Sequence, residues 1–311
     1  MTLILHPGTG SAGVEVTCRK SPECLLTVMA RLPNAPFPYE GMAGDSDQPF
    51  FDHRDPVSGQ RFHTTGAGDL FPESPHYRDD RVLIHLPPTF QPRKPFAILV
   101  FFHGHGAEIH RTLVEEMELL RQVNASGRNL VLVAPQMALE AADSSPGKLW
   151  RPLGFARLLG DVNRVLHNRM GKKFAARFQK APVILAAYSG GYRAAAFALD
   201  RGFDRKRRGR LQGVILLDAL YGDLDKFDRW LRRPGRKFLV NLHAASTTPI
   251  SLEFQQKLQA RGQPWSDSLQ RVSRAKSIHF LAVATPHEQV CQQGPPPWPL
   301  REILRQMGTR R

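Results

Sequence analysis

Residues 183–197 read VILAAYSGGYRAAAF, and this stretch decides the fold. Residues 183–187 are all apolar and predict a buried strand. Ser189 stands just after them among small residues, and an alanine-rich helical pattern follows the two glycines. A serine at a sharp turn between a strand and a helix projects its hydroxyl out of the backbone, where a base and a substrate can both reach it. The stretch therefore predicts a strand, a turn and a helix, with Ser189 as a candidate nucleophile.

The same alternation of strand and helix continues on both sides of this stretch. Apolar runs predict strands at residues 81–86, 96–102, 129–134, 183–187, 211–217, 237–242 and 278–283. Helical patterns between them imply right-handed crossovers and a mostly parallel sheet with helices on both faces. We therefore predict an α/β domain over residues 81–311. Residues 1–80 are rich in proline, glycine and aspartate, and they predict a loop-rich N-terminal extension with short strands near residues 14–18 and 25–30.

Size and composition limit the class of protein. The chain has 311 residues, of which 41% are hydrophobic and 23% are charged, so it can bury a full core and is not of a disordered type. No apolar run is long enough to span a bilayer, and the first residues do not resemble a signal peptide, so we predict a cytoplasmic location unless a leader was removed. Three cysteines, Cys18, Cys24 and Cys291, lack the spacing of a zinc site. Cys18 and Cys24 could pair in an oxidising compartment, but we predict unpaired thiols.

The net charge of +15 is the least ordinary feature of the composition. Binding of nucleic acid or of another anionic polymer is one interpretation. Aromatic residues are not interleaved with the charges, as a binder of single strands would need. We therefore interpret the charge as a solvated surface and expect no nucleic-acid partner; the oligomeric state is left open. The basic clusters are Arg201, Arg205, Lys206, Arg207, Arg208, Arg210, Arg232, Arg233, Arg236, Lys237, Arg305, Arg310 and Arg311.

A glycine-bearing segment upstream of Ser189 predicts a place for a negatively charged oxygen. Residues 101–107 read FFHGHGA and follow a predicted buried strand. Glycines let backbone N–H groups turn toward a substrate oxygen. The N–H of Gly190, next to the candidate nucleophile, is the second candidate donor.

The His-Gly-x-Gly segment, the serine turn and their order in the chain resemble the α/β-hydrolase superfamily over residues 81–307. The resemblance implies a serine hydrolase that works without a cofactor or a metal, through an acyl-enzyme. It also implies that the upstream oxyanion donor follows the first His-Gly pair, which points to His105 with Gly106 as its neighbour. The usual pattern G-x-S-x-G begins here with Ala187 instead of glycine.

The order of nucleophile, acid and histidine in that superfamily suggests the remaining catalytic residues. His287 follows the last predicted strand and is the candidate base, with His243 as the rival. Asp218 follows the strand after the serine helix and is the candidate acid, although the superfamily more often places the acid one strand later, where this chain has no carboxylate. Asp223 and Asp225 are alternatives for the acid.

Substrate contacts are less defined. Tyr188, Tyr192, Trp150 and Tyr221 are candidates to line an aromatic substrate pocket, and Arg193 is a candidate contact for an anionic group. We expect a small-molecule or polymeric ester as substrate, and less readily an amide or a thioester.

Three alternatives remain open from the sequence. The same three residues could transfer an acyl group to an alcohol. His103, His105 and His110, together with Glu108, have a spacing that slightly resembles the ligands of metal-dependent hydrolases. The chain could also be a basic binding protein on a hydrolase scaffold that has lost its activity.

Overall fold

The structure is a computed structural model, and it describes residues 14–44, 46–204, 206–269, 272, 276–293 and 297–307. The strands of these residues form a nine-stranded sheet in the order β1-β2-β6-β8-β7-β9-β10-β11-β12 and a small sheet in the order β3-β4-β5. The strands are β1 (Val14–Arg19), β2 (Leu26–Arg31), β3 (His53–Arg54), β4 (Arg61–Thr64), β5 (Leu70–Pro72), β6 (Arg81–Leu86), β7 (Ala97–Phe102), β8 (Leu130–Pro135), β9 (Val183–Tyr188), β10 (Leu211–Leu217), β11 (Phe238–His243) and β12 (Ser277–Ala282).

The helices lie between these strands and after the last one. A π-helical segment, Ile109–Glu116, follows β7, and a single 3₁₀ turn, Ser189–Gly191, follows β9. The α-helices are α1 (Glu73–His76), α2 (Leu119–Ala125), α3 (Gly154–Met170), α4 (Lys172–Phe178), α5 (Tyr192–Arg201), α6 (Leu224–Arg232), α7 (Thr248–Gln259), α8 (Val290–Gln293) and α9 (Pro299–Gln306).

The large sheet is parallel from β8 through β12 and antiparallel at its other edge. The strands β7, β8, β9, β10, β11 and β12 pair in parallel, whereas β6 pairs antiparallel with β8 and with β2. The predicted α/β class with a mostly parallel sheet is confirmed. Because β2 pairs with β6, the main sheet continues across residue 80 into the predicted N-terminal extension. As a division into domains, that boundary stays a prediction.

Both faces of the sheet are buried, which explains the continuous apolar runs of its strands. Successive side chains of a strand point to opposite faces. In β9, Leu185 belongs to the core under α3 and α5, with Phe155 and Ala195, whereas Ile184 belongs to the opposite core, with Val123 of α2. This double burial holds the central strands in place, so that their carboxyl ends form a rigid edge.

The cysteines differ in part from the prediction. Cys291 is a buried free thiol, but Cys24 is disulfide-bonded, so the prediction of unpaired thiols is wrong for Cys24. Disulfides persist mainly in oxidising compartments, so this bond counts against the predicted cytoplasmic location, which stays a prediction. In the part of the chain that the structure describes, no helix has both the length and the apolar character needed to cross a membrane.

Candidate active site

The turn after β9 holds Ser189 in a backbone conformation that few residues adopt. Ser189 has a φ of +50°, in the left-handed region, and α5 begins three residues later. A Cβ at Gly191 would lie 2.3 Å from the carbonyl oxygen of Phe102, and a Cβ at Gly104 would lie 2.6 Å from the Cβ of Ser189. The glycines on both loops are therefore required by the close approach of β7 and β9 at their carboxyl ends.

Ser189, His287 and Asp218 form one chain of hydrogen-bonded side chains. Nε2 of His287 lies 2.9 Å from Oγ of Ser189, and its Nδ1 lies 2.5 Å from Oδ2 of Asp218. Ser189 and Asp218 follow directly on β9 and β10, and His287 stands in the loop after β12. The three side chains therefore meet at the carboxyl edge of the sheet, where sites gather in open α/β folds.

The rival residues have other partners. Nδ1 of His243 lies 2.9 Å from Oγ1 of Thr248, at the start of α7. Asp223 pairs with Lys226 at 2.6 Å, and Asp225 pairs with Arg229 at 2.7 Å. These partners explain the three residues as parts of the surrounding loops and helices.

Asp218 is fully buried, and hydrogen-bond donors surround its carboxylate. The backbone N–H of Ala244 donates to Oδ1 at 2.9 Å, the Ser246 hydroxyl donates to Oδ2 at 2.7 Å, and Thr247 Oγ1 also donates to Oδ1. Burial raises the pKa of Asp218, but the hydrogen bonds from His287 and these donors outweigh burial and hold the pKa at about 2. The carboxylate therefore stays charged and can stabilise a protonated His287.

Sequence reasoning missed these donors. The segment after β11 was notable only because it lacks a carboxylate, yet Ser246 and Thr247 supply hydroxyl groups to the acid of the preceding strand. A short run of small hydroxyl residues at a strand end was the available signal, but it is too common in loops to identify this role.

Tyr188 and Tyr221 contact His287 from two sides. The Tyr188 ring stacks on the imidazole with centroids 5.0 Å apart and an interplanar angle of 17°, and its hydroxyl donates to the carbonyl oxygen of His287 at 3.1 Å. The Tyr221 hydroxyl lies 3.4 Å from Nδ1 of His287 and donates to Ser246 at 3.2 Å. Tyr188 thus supports His287 from a buried position, whereas Tyr221 is 39% exposed.

The other predicted aromatic contacts differ from one another. Tyr192 lies 6.0 Å from Tyr221 between ring centroids, so it is next to a residue that contacts His287. Trp150 is only 4% exposed and packs among Tyr39, Phe50 and Phe197, so it belongs to a core and not to a pocket wall. The sequence could not separate these cases, since an aromatic residue near a loop fits either environment.

The two predicted oxyanion segments lie against each other. Gly190 stands in the first turn after β9, where backbone N–H groups have no partner within the helix. A Cβ at Gly190 would lie 2.5 Å from Cδ2 of His105, so the loop after β7 closes over this turn. The N–H of Gly106, however, donates to the carbonyl oxygen of Ala141 at 2.9 Å, so this group does not face a substrate. The φ of +66° at Gly106 instead gives the loop its left-handed bend.

The three histidines of the metal alternative do not converge. Nδ1 of His103 lies 2.8 Å from the carbonyl oxygen of Gly104, and its Nε2 accepts the N–H of Met137 at 2.8 Å. Burial lowers the pKa of His103 to about 4, so this imidazole is a neutral structural group. His110 is exposed and pairs with Glu115 at 3.2 Å. Among the residues that the structure describes, no three histidine, cysteine or carboxylate side chains gather as metal ligands.

Among known proteins, solved structures are similar to this chain, whereas sequence comparisons find no match. The chain matches no protein-family model, and no curated protein sequence is significantly similar to it. It is similar to the fluorophosphonate-binding serine hydrolase FphF of Staphylococcus aureus, with 12% identity, coverage of 79% of this chain and 97% of that one, and a TM-score of 0.46. It is also similar to a feruloyl esterase module of Clostridium thermocellum, with 12% identity, coverage of 87% and 94%, and a TM-score of 0.44.

A third similar structure is an S-formylglutathione hydrolase of Agrobacterium tumefaciens, with 9% identity, coverage of 89% and 94%, and a TM-score of 0.42. The order and direction of the strands, together with the serine turn after β9, are observations on this chain itself. On these observations, the chain has the α/β-hydrolase fold.

Proposed function

We propose that this protein is a serine hydrolase that cleaves ester bonds through Ser189, His287 and Asp218. The observation that carries the proposal is the continuous contact from the Ser189 hydroxyl through the His287 imidazole to the buried Asp218 carboxylate, at 2.9 and 2.5 Å. A hydroxyl that bonds a base, and a base that bonds an orienting acid, have the geometry of an activated nucleophile. The left-handed backbone at Ser189 supports the same assignment, because strain of this kind concentrates at functional sites.

The reaction follows from these contacts. Nε2 of His287 takes the proton of Ser189 as Oγ forms a bond to the ester carbonyl carbon, and the carbonyl oxygen becomes an oxyanion. The backbone N–H groups of His105 and Gly190 are the proposed donors to this oxygen. When the tetrahedral intermediate collapses, the bond to the alcohol oxygen breaks, and His287 gives its proton to the departing alcohol. Water then attacks the acyl-enzyme with His287 again as the base, and the carboxylic acid leaves.

The proposed substrate is a small-molecule or polymeric ester, and no step needs a cofactor. Amides and thioesters react by the same steps and belong in the same substrate screen. Arg193 is not proposed as a contact for an anionic group, because its guanidinium lies 5.8 Å from the Trp150 ring centroid and 3.9 Å from the Asp223 carboxylate.

Replacement of the nucleophile is the direct test. Ser189→Ala should lower turnover of p-nitrophenyl esters by at least about a thousandfold, because the reaction loses its covalent step. The variant should also lose labelling by a fluorophosphonate probe. The matched control is Ser58→Ala, which removes the hydroxyl of an exposed serine in the loop between β3 and β4 and should keep both properties.

The alternatives give different results in the same assay. Full activity in Ser189→Ala would contradict the proposal. A wild-type protein that is folded but neither turns over any ester nor takes the probe would favour the inactive binding protein. Formation of a new ester when an alcohol acceptor is added would favour acyl transfer.

A further inference from the structure

The loop after β7, which carries the proposed donor His105, is tied to the segment that follows β8. Met137 donates its N–H to His103, and Gly106 donates its N–H to the carbonyl oxygen of Ala141. Each end of the loop is therefore bonded to the same neighbouring segment. These bonds hold the backbone of the loop but do not reach across to the turn at Ser189.

One further bond ties the loop to the same segment, and it lies against the turn at Ser189. Nε2 of His105 lies 2.7 Å from Oγ of Ser144, and this pair lies directly over Gly190. A Cβ at Gly190 would lie 2.7 Å from Nε2 of His105 and 2.7 Å from Oγ of Ser144. The pair therefore lies against the second proposed donor residue, and a side chain at residue 190 would displace it.

We propose that the His105 side chain and Ser144 are positioning residues that hold the N–H groups of His105 and Gly190 in one arrangement for the oxyanion. This inference rests on the proposed function. The hydrogen bond restrains His105 through its side chain, and the bond of Gly106 to Ala141 restrains the adjoining backbone, so both limit the rotation of the His105 N–H. Donors that are already in place cost no reorganisation when the negative charge forms.

The chemistry of the pair fits this role. Burial lowers the pKa of His105, the nearby His287 lowers it further, and Asp143 opposes both. A neutral imidazole can share one hydrogen bond with a hydroxyl at Nε2 and places no second positive charge beside His287. A carboxylate in place of Ser144 would raise the pKa of His105 and bring a negative charge toward the forming oxyanion.

Kinetic measurements distinguish a misplaced oxyanion donor from a general loss of stability. The oxyanion exists in the transition state and not in the bound ester, so a misplaced donor lowers kcat and leaves KM nearly unchanged. It also weakens binding of a boronic acid, which forms a tetrahedral adduct with the nucleophile. Loss of general stability would instead lower the fraction of labelled enzyme and the melting temperature.

The test uses Ser144→Val and Ser144→Thr, which have the same shape and differ in the hydroxyl. Ser144→Val should lower kcat on the order of tenfold, with KM within about twofold, and should weaken phenylboronic acid binding by a similar factor. Ser144→Thr should keep most of the kcat and the affinity. His105→Phe keeps a ring but cannot bond Ser144; it should resemble Ser144→Val, and it tests the same contact if the valine variant does not fold. The controls are His110→Phe at an exposed histidine and Ser58→Ala at an exposed serine, both outside the pair.

Equal kcat values and equal boronic acid affinities for the valine and threonine variants would overturn the inference. So would a loss that appears only in KM. These results leave the proposed function intact if the wild type still turns over esters and labels at Ser189. Absence of both properties in the wild type would overturn the proposed function and this inference together.

Discussion

Asp218 combines three features at one residue: full burial, a left-handed backbone with a φ of +44°, and a carboxylate bonded by four groups. Each feature by itself would lower the stability of the folded protein. A buried carboxylate without partners would lose its charge, but the donors here hold the pKa at about 2. The residue can therefore orient His287 at every pH at which the imidazole acts as a base.

The lowered pKa of Asp218 predicts an acid-dependent loss of stability. The pKa is about 2 in the folded protein, below the ordinary aspartate value of 3.8, so the unfolded state binds more protons between these values, and stability falls as pH decreases toward 2. Relative to Asp218→Asn, which cannot titrate, the wild type should lose about 1 kcal/mol between pH 6 and pH 3. Urea unfolding of both proteins at the two pH values measures this difference. A constant difference would contradict the lowered pKa.

At the scale of elements, the important contact is between the turn that joins β9 to α5 and the loop that follows β7. The turn is so close to this loop that Gly104 and Gly191 have no room for a side chain. A Cβ added at Gly191 would lie 2.3 Å from the backbone oxygen of Phe102 and 2.9 Å from that of His103, and these oxygens cannot move without shifting the end of β7. Packing of two strand ends, more than local propensity, therefore selects the small residues.

Gly191→Ala should destabilise the protein by about 1–3 kcal/mol, because the added methyl group forces the backbone apart. It should also lower ester turnover, since the turn carries Ser189. Gly160→Ala is the matched control: Gly160 lies inside α3 with nothing within 4 Å of an added Cβ. That change should raise stability by about 0.5–1 kcal/mol, as alanine favours a helix. The free energy of unfolding of both variants is measured by thermal or urea unfolding. Equal changes for the two variants would contradict the packing argument.

At the scale of the molecule, part of the excess positive charge is used at the ends of helices. Several cationic side chains donate to carbonyl oxygens at or just after helix C-termini, where the helix dipole favours positive charge. In these contacts a carbonyl oxygen, and not a carboxylate, accepts the hydrogen bond from the cation, so its positive charge adds to the net charge. They are Arg210 with Phe178 and Ala181 after α4, Arg233 with Leu199 of α5, Lys237 with Trp230 of α6, and Arg128 with Leu304 of α9.

Arg210→Met should cost about 1–3 kcal/mol of stability, because two carbonyl oxygens at the end of α4 lose their donor. The control is Arg207→Met, since Arg207 is half exposed and pairs with Asp204 on the surface. An exposed pair of this kind contributes about 0–1 kcal/mol. The comparison is made by urea unfolding at neutral pH. A larger loss for Arg207→Met than for Arg210→Met would contradict the capping role.

Features that depend on neighbouring residues could be predicted from the sequence, whereas contacts between residues far apart along the chain could not. The strands and the turn at Ser189 depend on neighbouring residues, and their periodicity and small residues were sufficient to predict them. Asp218 and His287 were suggested by residue type and by order along the chain. The predicted pocket role of Trp150 rested on residue type alone, whereas its actual burial depends on Tyr39 and Phe197, which are remote in sequence.

The sequence by itself determined the alternation of strands and helices and the exposed serine at residue 189, because both depend on local backbone preference and on the pattern of apolar residues. Only the tertiary structure decided which histidine meets Ser189, which donors surround Asp218 and that Ser144 lies over Gly190. The physical reason is that these contacts join loops from different strands, from 26 residues apart for Ala244 and Asp218 to 98 residues apart for His287 and Ser189. Their geometry depends on the order and register of the whole sheet, which no single stretch of the chain contains.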